Sequence, residues 1–196
     1  MTVEGNEGAI SATSGWTLVD GNTATKVFLY DQTITFPTTT REGYEIVNWN
    51  TKADGTGDEF STSSVLSEDT TVYAIWGTET YTVTFNGNGG TPSVASKQVS
   101  YNSTYGTLPT ATKTGYSLSG WFTSSTGGTQ ITADTIVTST SNHTLYAQWT
   151  AGTFTISYQP NNVGEGTLTG TVADQVATYG QSLDITSSVF TRQGSS

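Results

Sequence analysis

The chain has 196 residues, 33% of them hydrophobic and only 11% charged, with 22 glycines, no cysteine and a formal net charge of −10. Phosphate backbones and anionic membrane surfaces repel such a charge, so nucleic acid is not an expected partner; the lack of cysteine excludes disulfides, thiolate metal sites and a cysteine nucleophile. Thr is by far the commonest residue, with Ser and Gly each at about half its number, which favours strands and turns, while 5 Trp, 10 Tyr and 7 Phe supply the large apolar areas of small folded cores.

From the N-terminus, Met1-Thr2-Val3-Glu4-Gly5-Asn6-Glu7 has no basic start and no apolar run, so no signal peptide is read here. No segment approaches the roughly 18 consecutive apolar residues of a membrane-spanning helix, and membrane insertion is not expected. Trp16, in Ser14-Gly15-Trp16-Thr17-Leu18-Val19, stands apart from the pattern that follows.

That pattern is a repeat. Gly43-Tyr44-Glu45-Ile46-Val47-Asn48-Trp49, closed by Val72-Tyr73-Ala74-Ile75-Trp76, recurs as Gly115-Tyr116-Ser117-Leu118-Ser119-Gly120-Trp121, closed by Leu145-Tyr146-Ala147-Gln148-Trp149. The offset is 72 at Gly-Tyr and the first Trp and 73 at the closing Tyr-Ala-x-Trp. Phe36-Pro37 matches Leu108-Pro109 at 72, Phe154-Thr155-Ile156-Ser157-Tyr158 echoes Tyr81-Thr82-Val83-Thr84-Phe85 at 73, and Tyr179-Gly180 echoes Tyr105-Gly106 at 74. Three modules are therefore expected: 1–78, a variant with a longer N-terminal half; 79–150, complete; and 151–196, an incomplete third copy.

Within the complete copy, Tyr81-Thr82-Val83-Thr84-Phe85 alternates apolar and polar residues and predicts a half-buried strand. Asn86-Gly87-Asn88-Gly89-Gly90-Thr91-Pro92 predicts a turn. Further strands are predicted at 97–101, 116–122 and 143–149, with Asp134-Thr135-Ile136-Val137 either a short strand or a helical turn. Alternation places Leu145, Ala147 and Trp149 on one face of the last strand and Tyr146 on the other. The repeated aromatics Tyr44, Trp49, Tyr73, Trp76, Tyr116, Trp121, Tyr146 and Trp149 are thus read as repeat core. The fold class is mainly β with minimal helix.

Tyr81-Thr82-Val83-Thr84-Phe85-Asn86-Gly87-Asn88-Gly89-Gly90, Gly115-Tyr116 with Gly120-Trp121-Phe122, and Leu145-Tyr146-Ala147-Gln148-Trp149 resemble the Listeria/Bacteroides repeat family, also called the internalin-type B repeat. The resemblance implies tandem small β-grasp-like modules arrayed on secreted or wall-attached bacterial proteins, extracellular, with no catalytic residues and no cofactor. It further implies a spacer or adhesion role, with signal and anchor outside this chain and a host-surface or extracellular protein or glycan as partner. Two positions depart from the pattern: Asn48 stands where the other copy has Gly120, and the third copy lacks its Gly-Tyr and Trp half.

Several residues could carry chemistry. His143 is the single histidine, so any Ser-His-Asp device would need it; its location before the last strand reads as an exposed loop. The acids of Asp54-Gly55-Thr56-Gly57-Asp58-Glu59 have no counterpart in Ser124-Ser125-Thr126-Gly127-Gly128-Thr129 and do not match calcium-loop spacing, so a solvated turn is expected and no metal. Lys26, Lys52, Lys97 and Lys113 could form amide cross-links to Asn, though no pattern specifies one. Tyr101, Tyr105 and Phe122 are candidate exposed aromatics for binding a protein or glycan. The unpaired edges of an incomplete third copy would allow weak self-association.

Overall fold

The computed structural model describes residues 1–11, 15–29, 32–159, 168–170, 172–185 and 191–192, and among them there are strands and turns but no helix. The strands run in order β1 (Thr2–Glu4), β2 (Ala9–Ser11), β3 (Thr17–Leu18), β4 (Thr23–Thr25), β5 (Thr38–Thr40), β6 (Tyr44–Asn50), β7 (Glu59–Phe60) and β8 (Thr71–Thr78). Next come β9 (Thr80–Asn86), β10 (Thr91–Pro92), β11 (Ser96–Ser100), β12 (Ala111–Thr112), β13 (Tyr116–Phe122), β14 (Gln130–Ile131) and β15 (His143–Ala151). The last are β16 (Thr153–Ile156), β17 (Leu168–Thr169), β18 (Gln175–Thr178) and β19 (Thr191–Arg192). The fold is mainly β, as the alternation predicts.

Contacts divide the chain into two compact units, one of Met1–Thr84, Ser96–Gly106 and Ala133–His143, the other of Phe85–Ala95, Thr107–Thr132 and Thr144–Ser196. The first unit contains a six-stranded sheet of order β3-β4-β1-β8-β6-β7. Its centre is a parallel pair, β1 with β8, in register Val3↔Val72, flanked by β4 antiparallel to β1 at Val3↔Ala24 and β6 antiparallel to β8 at Trp49↔Ala74. A strand period of two explains what is buried: Val72 and Ala74 are shut from solvent, while Thr71 is exposed and Tyr73 half-buried on the other face. Val3, Ile10, Trp16, Ala24, Trp49, Val72 and Ala74 form the core, and Phe36 stacks on Trp49 at 4.9 Å with the rings 5° apart. Fully burying a Val side chain contributes about 1.5–3 kcal/mol, so Val3 and Val72, facing each other across the parallel pair, anchor the sheet.

The same unit holds β9 antiparallel to β11, in register Lys97↔Val83 and Val99↔Tyr81, with Tyr81, Val83, Val99, Tyr105 and Val137 buried. Asp134–Val137, left open between strand and helical turn, is neither: a single bridge joins Thr104 and Ile136. Val137 is fully buried there, its N–H donating to the Ser103 carbonyl at 2.8 Å and its carbonyl accepting from the Asn102 N–H at 2.9 Å.

In the second unit β13 pairs antiparallel with β15 and with β14, with Trp121 opposite both Ala147 and Ile131. Phe85, Trp121, Ile131, Leu145 and Ala147 are buried, and Phe85 meets Trp121 edge-on at 4.9 Å. Short ribbons join β10 with β12 and β16 with β18, so Pro92, expected within the turn, sits just past it in a two-residue strand. Both β6·β8 and β13·β15 slip register at equivalent places, Ile46/Asn48 and Leu118/Gly120. At that bulge Gly120 has φ +149°, whereas Asn48 leaves its Oδ1 buried without a hydrogen-bond partner among the described residues.

Candidate functional site

Two local devices recur between copies, and each places a different set of side chains. The first is a turn. Gly87-Asn88-Gly89-Gly90 reverses the chain after β9, with Asn88 at φ +48° and Gly89 at φ +87°. The Asn88 amide donates to the carbonyls of Ser125 (2.8 Å) and Ala147 (3.0 Å), the Gly90 N–H donates to Gly87 O (2.9 Å), and the Trp149 indole N–H donates to Gly87 O (3.0 Å). Trp149 lies so close that a Cβ on Gly90 would fall 2.3 Å from its ring, which is why that position has no side chain.

The first copy builds the same turn from Gly5-Asn6-Glu7-Gly8, which the 72-residue offset does not reveal. Asn6 has φ +48° and Glu7 φ +73°; the Asn6 amide donates to Ala53 O and Ala74 O, both at 2.9 Å. The Gly8 N–H and the Trp76 indole N–H both donate to Gly5 O at 2.9 Å, and a Cβ on Gly8 would fall 2.2 Å from the Trp76 ring. The offset is 82 here and 71 where Ala24 and Ala95 occupy equivalent places beside Val3 and Phe85, so the extra residues of the first copy lie between β2 and β4. They include Trp16, buried against Phe28 at 5.9 Å with its indole N–H donating to Thr35 O at 3.0 Å. The available signal was Thr-x-x-Gly-Asn-x-Gly, shared by 2–8 and 84–90.

The second device stands where each repeated Tyr-Ala-x-Trp strand hands on to the next strand. Gly43 O accepts from the Glu79 N–H (3.0 Å), Glu79 O accepts from the Tyr101 N–H (2.9 Å), and the Tyr101 ring meets Tyr44 edge-on at 5.6 Å. A Cβ on Gly43 would lie 2.3 Å from that ring. The next joint repeats it: Gly115 O accepts from the Gly152 N–H (2.8 Å), Gly152 O accepts from the Tyr179 N–H (2.8 Å), Tyr179 meets Tyr116 at 5.4 Å, and a Cβ on Gly115 would lie 2.3 Å from the Tyr179 ring. Tyr179 therefore takes the place of Tyr101, not of Tyr105 as the Tyr-Gly echo suggests. Strand register decides it, since Ser100 faces Thr80 in β11·β9 as Thr178 faces Thr153 in β18·β16.

The sequence-read aromatics are thus distributed as follows. Trp49 and Trp121 are buried; Tyr44, Tyr73, Trp76, Tyr116, Tyr146 and Trp149 are half-buried. Of the candidate binding aromatics, Tyr105 is not exposed: only 5% accessible, it donates its hydroxyl to His143 Nε2 at 2.7 Å, and burial raises its pKa. His143 Nδ1 lies 2.9 Å from Ser141 O, an acceptor only, which assigns the proton to Nδ1 and leaves Nε2 to accept. His143 is consequently a half-buried strand residue, where an exposed loop was expected. Tyr101 is held in the joint and Phe122 is half-buried at the end of β13, so the structure does not bring the three together as one exposed patch.

At the joint the Tyr81 hydroxyl donates to the Glu79 carboxylate, and this bond to a negative partner pushes the Tyr81 pKa up to about 12. Asp54 Oδ1 accepts from the Thr56 hydroxyl (2.7 Å) and N–H (3.0 Å), which lower its pKa, and the Asp54–Glu59 stretch forms a turn and a short strand. Among the described residues no group of three or more His, Asp or Glu is placed to hold a metal. Lys97 and Lys113 donate to the backbone carbonyls of Tyr105 (2.5 Å) and Asn88 (3.5 Å), and Lys26 donates to the Thr35 hydroxyl (3.1 Å).

The sequence of these elements is matched by a known family: the Listeria-Bacteroides repeat domain model covers residues 17–75 and 81–148, beginning in the first copy only after the Gly5–Gly8 turn. Internalin H of Listeria monocytogenes is 35% identical over 134 residues, which are 67% of this chain and 24% of that protein. Two proteins of Evansella cellulosilytica, named putative Gly-rich membrane protein and putative membrane protein, are 28% and 34% identical over 81% and 78% of this chain, and 18% and 23% of their own lengths. The chain thus spans a quarter or less of each of these relatives. With the family model matching two copies over more than half of the chain, the chain belongs to the Listeria-Bacteroides repeat family.

Proposed function

We propose that this chain is a non-catalytic repeat region of a secreted or wall-attached bacterial surface protein, in which tandem copies act as a stalk. The observation that carries the reading is the joint: two carbonyls, two N–H groups and a Tyr clamped on a Gly recur between copies one and two and between copies two and three. A spacer needs successive modules held by the same contacts, because reach then grows by a fixed increment per copy. The relation to internalin H and to two proteins named as membrane proteins supports an envelope location. The engagement of His143 by Tyr105 and Ser141 supports a structural rather than a catalytic role for it.

Adhesion through many weak contacts is the alternative that arrays allow. The labelled full chain is offered to host-cell surfaces, matrix proteins and bacterial wall glycans at two salt concentrations, since a net charge of −10 attracts basic proteins nonspecifically. A stalk leaves every surface unlabelled at the higher salt. Salt-resistant, saturable binding to one surface would replace the stalk with an adhesion module. Phe154 and Val176, exposed on the β16·β18 ribbon, are where weak self-association would occur, and light scattering showing only monomer at high concentration would exclude it.

A further inference from the structure

The two turns differ at one charged position, Glu7 in the first and Gly89 in the second. In the first copy the Arg41 guanidinium lies 4.0 Å over the Tyr44 ring and is ion-paired with Glu7, the turn residue after Asn6. In the second copy Lys113 takes the place of Arg41, with its ammonium 4.5 Å over Tyr116 and 5.8 Å from Trp149. Gly89 takes the place of Glu7, and Lys113, among the described residues, has no carboxylate at ion-pair distance; its remaining hydrogen bond is the 3.5 Å contact to Asn88 O. A Cβ on Gly89 would lie 3.2 Å from the ammonium, so a side chain at 89 would start at the cation. In that place there is a groove of about 700 Å³, lined by Gly89, Gly90, Thr112, Lys113, Tyr116 and Ser117 among others.

We propose that the second copy binds a carboxylate from outside, the side chain of an acidic peptide, in the position that the first copy fills with its own Glu7. The cation is already held on its ring, so a ligand carboxylate meets a preorganised charge in a groove that the hydroxyl-bearing residues Thr112 and Ser117 also line. A single carboxylate suits the site better than a polyanion, because a chain of net charge −10 repels each additional negative charge. The built precedent is a glutamate carried on a polypeptide, which favours peptide over sugar acid. The proposal does not need the stalk reading: what carries it is the Glu7-to-Gly89 difference between copies, although the Tyr116 ring under Lys113 also meets Tyr179 at the joint.

The test uses the full chain, isotope-labelled, titrated with a blocked glutamate-containing tripeptide and followed by the amide shifts of Gly89, Lys113 and Tyr116. Saturable shifts that weaken about 10-fold when the peptide carries Gln, and equally with Lys113→Gln, are expected. Gly89→Glu restores the arrangement of the first copy and is expected to abolish binding by occupying the site itself. Failure to saturate, equal response to the Glu and Gln peptides, or binding unchanged by Lys113→Gln would each overturn the proposal. Stronger binding of glucuronate than of the peptide would overturn the peptide assignment. If Gly89→Glu unfolds the module, the Lys113→Gln and Gln-peptide arms decide alone.

Discussion

The first two copies reach the same turn and the same sheet register from different sequences. Copy two uses Phe85, Asn88, Gly89 and Gly90 with little else inserted; copy one uses Val3, Asn6, Glu7 and Gly8, then adds residues that bring in Trp16 and β3 before rejoining at Ala24. What is kept is the set of groups whose replacement would leave a buried carbonyl unpaired or a Cβ inside a Trp ring. What varies is the volume that fills the core: Phe36 stacks on Trp49 in one copy, and Phe85 meets Trp121 edge-on in the other. Hydrogen-bond geometry is discrete and tolerates few substitutes, whereas apolar volume can be supplied from several directions.

The largest effect is expected at the glycines under the indoles. Gly90→Ala and Gly8→Ala each force a methyl onto Trp149 or Trp76 and are expected to cost about 3 kcal/mol, read as a lowered urea midpoint followed by Trp fluorescence. An unequal response would show that one indole yields where the other does not. Asn88→Ala and Asn6→Ala each remove two donors from backbone carbonyls, with an expected loss of about 2 kcal/mol in the same assay. If either substitution is silent, that copy does not depend on its turn.

The joints come next. Tyr101→Ala and Tyr179→Ala expose the Glu79 and Gly152 carbonyls that their N–H groups face, and each is expected to cost about 1–2 kcal/mol locally. Hydrogen exchange should then rise about tenfold at the Glu79 or Gly152 amide, with the cores protected as before. Exchange rising in the cores as well would mean that the Tyr supports the module and not only its link to the preceding one.

The smallest difference is electrostatic and confined to one joint. Glu79 and Tyr81 are paired at the first joint, while Gly152 and Phe154 stand in their places at the second. The folded pKa of Tyr81 lies above its unfolded value near 10, so the contribution of this pair is complete below pH 10 and is lost as pH rises through about 12. In an ultraviolet titration Tyr81 should ionise late, and Glu79→Gln should return it towards 10 with no change at the second joint. A titration unaltered by Glu79→Gln would remove the carboxylate as the cause.

The strand positions were legible because strand periodicity is local. Tyr81–Phe85, 116–122 and 143–149 all lie inside observed strands, and Leu145 and Ala147 are buried on the face that alternation assigned to them. The repeat was legible because Gly-Tyr, the first Trp and Tyr-Ala-x-Trp keep a near-constant spacing. Four identities in seven residues, displaced from the main offset, hid the first turn, and the equivalence of Tyr179 with Tyr101 was masked by a nearby Tyr-Gly pair. Tyr105 looked available for binding because an aromatic among Ser, Thr and Gly reads as exposed. In the fold it lies against His143, 38 residues on, and its N–H donates to Thr135 O, partners that no neighbouring residue announces.

Alternation and repeat spacing are properties of the chain read in order, and they carry both the mainly β fold and the membership of the Listeria-Bacteroides repeat family. Which Asn closes each turn, which Tyr clamps each joint and that Lys113, unlike Arg41, has no carboxylate at ion-pair distance among the described residues emerge only when the strands are paired. Those pairings join groups up to 71 residues apart, as Trp76 to Gly5 does, and their selectivity comes from ångström-scale approach of backbone to ring, which spacing along the chain does not encode.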